Sequence, residues 1–201
     1  MRFVLPGMGA TSEMYSDSWS MLNDAVFLDW PKINGEITFD NIASQLIAEN
    51  QITSLDHIIG SSLGGIIAIE IAHQIKCNQV ILIGSAINKS EINSLLLSLA
   101  PLSEITPLKF IQFIVGKSGG GLGQMFASVE ADFIRSTCIE LNQWNSPYCE
   151  EMNVKRIHGS RDHVIQCPDT ADLIIEGGHL IAMTHSKACV DFIESICLKK
   201  E

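Results

Sequence analysis

Ser62 stands in Ile58-Ile59-Gly60-Ser61-Ser62-Leu63-Gly64-Gly65, a Gly-x-Ser-x-Gly sequence. A hydroxyl is a poor nucleophile until a base takes its proton, and the base works best when a carboxylate holds its ring. Two later stretches offer those groups: Asp162 in His158-Gly159-Ser160-Arg161-Asp162-His163-Val164-Ile165 and His179 in Gly177-Gly178-His179. The chain order Ser, Asp, His is the one expected at a nucleophile elbow, and its chemistry is acyl transfer. Glycine at 60 and 64 suits a crowded strand-to-helix turn, where a side chain would strike the neighbouring strand or helix. The amide of Leu63, at the positive end of the helix that follows, would then point at an oxyanion. A bare Gly-x-Ser-x-Gly match can also be a packing turn.

A second glycine-rich loop, Pro6-Gly7-Met8-Gly9-Ala10-Thr11-Ser12, directly follows an apolar run. Free amides in such a loop can face an anion, and the Met8 N–H is expected to be the second oxyanion donor. A plain tight turn is the alternative. The loop has neither the Gly-Lys-Ser/Thr ending of a P-loop nor the third glycine of a dinucleotide fingerprint. Among the other histidines, His57 precedes its strand, and His73 and His185 fall inside predicted helices. His158 and His163 flank the acid and read as packing or surface side chains. Asp169 and Asp172 stand near Asp162, and Arg161 could pair with any of the three as a surface salt bridge.

Positioning these groups takes a sheet. Apolar runs at 2–5, 25–28, 56–59, 80–83, 154–157 and 172–175 read as strands, several of them continuously apolar, as parallel strands buried on both faces require. Helical spacing covers 11–22, 39–49 with Thr38 as N-cap, 63–75, 127–144 and 181–198. The alternation implies βαβ units, a mostly parallel sheet, and functional groups gathered at the C-terminal strand ends. It breaks after Ser85. Residues 89–125, rich in Leu and Ile and punctuated by Pro101, Pro107 and Gly119-Gly120-Gly121, read as a small helical cap over the site or as ordinary scaffold helices. The glycine run suits a hinge or a surface turn.

Bulk composition narrows the class. The 201 residues allow one well-buried domain, 1–201, and the 46% hydrophobic and 18% charged content is globular. A formal charge of −10 argues against nucleic-acid or anionic-membrane partners. The six cysteines, at 77, 138, 149, 167, 189 and 197, show no Cys-x-x-Cys pair and no zinc-like spacing, so neither metal nor cofactor is expected. Scattered thiols, no secretory signal and no membrane span point to the cytoplasm.

The chain resembles a small α/β hydrolase of the esterase and thioesterase type. The matching residues are Leu5-Pro6-Gly7-Met8-Gly9, the serine motif, the 158–165 acid loop and Gly177-Gly178-His179. The resemblance implies the α/β-hydrolase fold, with a mostly parallel central sheet, helices on both faces and a small cap insertion. It also implies a Ser62-His179-Asp162 triad and an oxyanion hole from the amides of Met8 and Leu63. Two departures stand out: Pro6-Gly7 where the family often has His-Gly, and a first strand with no antiparallel hairpin before it. A trimmed sheet exposes an edge, so a homodimer is conceivable.

The expected function is hydrolysis of a carboxylic ester through an acyl-enzyme, on a small and partly apolar substrate. Thioester hydrolysis and acyl transfer share that intermediate and are the alternative. Lys89, Lys109 and Lys117 could then meet phosphates of CoA. A non-catalytic binding protein that keeps the fold is the remaining class.

Overall fold

Six apolar runs form the strands β1 Arg2–Leu5, β2 Ala25–Phe27, β3 His57–Ser61, β4 Gln79–Ile83, β5 Val154–Gly159 and β6 Leu173–Ile175. The computed structural model describes residues 1–33, 35–77, 79–94 and 131–197. The strands make one parallel sheet in the order β2-β1-β3-β4-β5-β6. β1 is flanked by β2 and β3, with Val4 opposite both Phe27 and Ile59. The chain therefore goes outward from β1 to β2 and then returns to β1's other side. That reversal is a topological switch point between β1 and β3, the place where open α/β sheets bind their ligands.

Both sheet faces are covered, which explains why the central strands carry no polar alternation. On one face Phe3, Leu5, Ile58, Val80 and Leu82 pack with helices α1 Phe39–Asn50, α2 Leu63–Ile75 and α3 Ala131–Gln143. On the other, Val4, Ile59, Ile81, Ile83 and Ile157 pack with α4 Ile181–Thr184 and α5 Ser186–Cys197. The Thr38 hydroxyl accepts the Asn41 amide at 3.1 Å, so the expected cap of α1 is made.

Two helix expectations are corrected. Residues 11–22 are not one helix but two 3-10 turns, Ser12–Met14 and Asp17–Met21, parted where Asp17 takes φ 54°. The three-to-four spacing of Tyr15, Trp19 and Leu22 is real burial with a different cause. The Tyr15 hydroxyl bonds the Leu5 carbonyl at 2.5 Å and the Trp19 indole bonds that of Ala182 at 2.7 Å. Each aromatic ring is anchored by its polar tip, so tertiary bonds overrule a continuous helix. The closing helix is likewise two pieces, interrupted at His185, whose ring meets the Thr184 hydroxyl at 2.8 Å.

Of the expected cap at 89–125, residues 89–94 are described and the rest lies outside the described residues. The described part holds a 3-10 turn, Lys89–Glu91, and then an antiparallel bridge from Ile92 to Ile165. The root of that segment is thus fastened to the acid loop.

Candidate active site

β3 ends in Ser61, and α2 begins at Leu63, so Ser62 carries the whole reversal between strand and helix. Its backbone takes φ 53° and ψ −119°, a left-handed conformation that costs a non-glycine residue about 1–3 kcal/mol and persists only where the surroundings over-determine it. Those surroundings are close. A Cβ at Gly60 would lie 2.1 Å from the Gly64 carbonyl oxygen, and one at Gly64 would lie 2.5 Å from those of Leu5 and Pro6. Strand, turn and helix can approach this tightly only with glycine at both positions. The Ser62 amide donates to Ile83 at 3.0 Å, and its carbonyl accepts the buried Ser85 hydroxyl at 2.7 Å.

The loops after β5 and β6 bring the other two groups to the same edge. His179 Nε2 lies 2.9 Å from Ser62 Oγ, and His179 Nδ1 lies 2.8 Å from Asp162 Oδ2. The nitrogen facing the carboxylate carries hydrogen, which leaves Nε2 to accept the serine hydroxyl. Asp162 Oδ1 accepts the amides of Val164 at 2.9 Å and Ile165 at 3.0 Å. Burial pushes the Asp162 carboxyl upward, but hydrogen bonds from His158 and His179, the positive charge His179 carries when protonated and the Ile165 amide outweigh it. The carboxyl is held well below its usual range.

Gly84, with φ +54°, passes under this pair: a Cβ there would lie 3.1 Å from the His179 carbonyl and 3.5 Å from Asp162 Oδ2. Gly159 is as confined, with the Gly178 carbonyl 2.4 Å from its would-be Cβ. Neither constraint is visible in the sequence, because both come from strands that become neighbours only in the sheet.

Of the two expected oxyanion donors, Leu63 follows Ser62 in the chain and Met8 follows Gly7, which lies beside the serine. Leu63 is the first residue of α2, so its N–H has no partner within the helix. Gly7, next to Met8, has its Cβ position 3.7 Å from Ser62 Cβ. Its amide donates to Met14 Sδ at 3.3 Å, and its carbonyl accepts the Trp30 indole at 3.2 Å and the Ala10 amide at 3.1 Å. The loop is therefore pinned on both sides of that peptide. Neither the Met8 nor the Leu63 amide donates to a described residue.

Of the remaining candidates, all but His158 separate from this cluster. His57 begins β3 at the opposite sheet edge, and His163 is exposed. Arg161 pairs with Glu176 at 3.6 Å, not with an aspartate, while Asp172 pairs with Lys155. His158 is no surface residue: it is fully buried, with Nε2 3.3 Å from Asp162 Oδ2. Lys89 is tied to the Asn142 carbonyl at 3.0 Å, and Lys109 and Lys117 lie outside the described residues. Among the described residues no group of His, Cys, Asp or Glu could hold a metal ion, and no helix is long and apolar enough to cross a membrane.

No family model matches the chain, and no curated protein does. Solved structures do. A hydrolase from Oleispira antarctica superposes with a TM-score of 0.78 at 12% identity, over 99% of this chain and 91% of that one. A thermophilic esterase from Thermogutta terrifontis gives 0.71 at 13%, over 98% and 89%. BorB, a type II thioesterase from the borrelidin biosynthetic cluster, gives 0.70 at 14%, over 96% and 91%. At these identities the likeness is one of fold, and it extends along nearly the whole of each chain. The chain has the α/β-hydrolase fold.

Proposed function

We propose that this chain is a serine hydrolase of carboxylic esters, acting through an acyl-enzyme on a small, partly apolar substrate. The observation that carries the proposal is the unbroken line from Ser62 Oγ through the His179 ring to Asp162, with contacts of 2.9 and 2.8 Å. In this reading Ser62 is the nucleophile and His179 the base. As Oγ attacks the ester carbonyl carbon, its proton passes to Nε2, and the imidazolium is held by Asp162. The amides of Met8 and Leu63 receive the oxyanion. One such donor is worth about 3–4 kcal/mol of barrier. Collapse breaks the ester bond, and the departing alkoxide takes the proton from Nε2. Water then attacks the acyl-serine, giving its proton to His179, and the carboxylic acid leaves as Ser62 is restored.

The test is hydrolysis of p-nitrophenyl butyrate by wild type and Ser62→Ala. The expected loss in kcat is at least about 10⁴-fold. Hydrolysis by Ser62→Ala at the wild-type rate would overturn the proposal. The likeness to a type II thioesterase favours one second reading, a thioester substrate at the same site. Relative turnover of butyryl-CoA and of an oxygen ester with the same acyl chain separates the two.

A further inference from the structure

Asp162 is held by more groups than the line to Ser62 requires. His158 leaves β5 beneath it, fully buried, with Nε2 2.9 Å from the Ile165 carbonyl oxygen and 3.3 Å from Asp162 Oδ2. Both oxygens can only accept. A ring nitrogen facing two acceptors must carry the hydrogen, since its lone pair there would be repelled by each. His158 Nδ1 is buried and has no partner among the described residues. The ring's polar contacts are therefore all on the Nε2 side, toward the acid and its loop. Oδ2 thus faces two imidazole nitrogens, His179 Nδ1 at 2.8 Å and His158 Nε2 at 3.3 Å, the latter sharing its hydrogen with the Ile165 carbonyl, while Oδ1 receives two amides.

We infer that His158 is a positioning residue for the proposed reaction: a second imidazole on Asp162 that keeps the carboxylate aimed and limits how strongly it pulls the proton of His179. The inference rests on the roles proposed for Ser62, His179 and Asp162. A carboxylate that stabilises an imidazolium must not hold it so firmly that His179 is already protonated at working pH, because a protonated ring cannot act as base. Each additional donor on Asp162 spreads its charge and weakens that hold. Because His158 lies in the strand itself, it supplies its donor continuously, whatever the state of His179. Other charged or titratable groups near the acid are Cys167, whose thiol is pushed up by burial and then by the charge of Asp162, and Arg156, held by Glu91. Neither contacts Oδ2 in the structure.

The test uses two amides that place a nitrogen at different points of the ring. In His158→Gln the amide nitrogen falls near the Nε2 position and keeps the donor. In His158→Asn it falls near Nδ1, short of Asp162, and loses it. The protonation midpoint of His179 is read by NMR of ¹³C-labelled histidine, with His179→Gln used to assign the resonance. The expected result is an upward shift in His158→Asn and a near wild-type midpoint in His158→Gln. The acidic limb of kcat/KM on p-nitrophenyl butyrate should follow the same shift, with KM within about twofold. Should His158→Asn not fold, His158→Phe, which also removes the donor, must give the same rise. Equal midpoints in wild type and the donor-free variant overturn the inference. Because the midpoint is read without turnover, it judges His158 even if Ser62→Ala hydrolyses the ester as fast as wild type, a result that sinks only the hydrolase proposal.

Discussion

Asp162 is the residue at which charge and geometry can be separated by one substitution. In Asp162→Asn the remaining oxygen would accept the Val164 and Ile165 amides, which turns the new NH₂ toward His179 Nδ1. His179 would then accept at Nδ1 and place its hydrogen on Nε2, facing Ser62, and no base would remain. The expected loss of kcat/KM is roughly 10³–10⁴-fold with the fold intact, measured by steady-state hydrolysis. A loss below tenfold would contradict the assigned tautomer. At this scale the sequence was unusually readable. Ser62, Asp162 and His179 each follow an apolar run and a glycine, and that punctuation marks a strand end whose next side chains project at the sheet edge. His158 and Gly84 carried no such mark. His158 sits within its strand and reads from sequence as a packing or surface side chain, and Gly84 has meaning only once β4 lies beside β5.

At the scale of elements, one guanidinium joins parts that lie far apart in the chain. Arg156 in β5 donates from Nη1 and Nη2 to the two Glu91 oxygens at 2.9 and 2.7 Å, and from Nη2 to the Ser85 carbonyl at 3.1 Å. Ser85 holds the Ser62 carbonyl, and Glu91 accepts the Ile87 amide. The Ser62 turn, the end of β4 and the root of the 89–94 segment are thus tied to β5. Removing one member of a buried pair strands the other, at a cost of about 3–5 kcal/mol. Arg156→Met should lose roughly the lower figure in urea unfolding, since Glu91 keeps some exposure, and adding Glu91→Gln should recover part of it. A loss under about 0.5 kcal/mol would contradict the clamp. The sequence reading succeeded for strands and for α1 and α2, whose apolar periodicity reflects packing against a sheet. It failed for 11–22, where the same spacing arises from two separate turns each burying one aromatic. Periodicity reports which side chains are buried and is silent on whether the backbone between them is continuous.

For the whole molecule, the depressed Asp162 carboxyl makes stability depend on pH. In the unfolded chain this group titrates near 3.9, whereas the folded chain keeps it ionised to lower pH. Between those two values the unfolded state binds more protons. Its contribution is therefore complete above about pH 4 and is lost as pH falls through the folded value. Urea midpoints of wild type should fall on acidification below pH 4 more steeply than those of Asp162→Asn. The carboxyl that sets this behaviour also serves the proposed activity, which depends on a sheet that brings the ends of β3, β5 and β6 to one edge. The direct measurement is the intact mass of wild type, Ser62→Ala and His179→Ala after treatment with a fluorophosphonate, which phosphonylates only an activated serine. The account predicts one adduct on wild type, none on Ser62→Ala and a much slowed adduct on His179→Ala. An unmodified wild type, or equal labelling of Ser62→Ala, would contradict it.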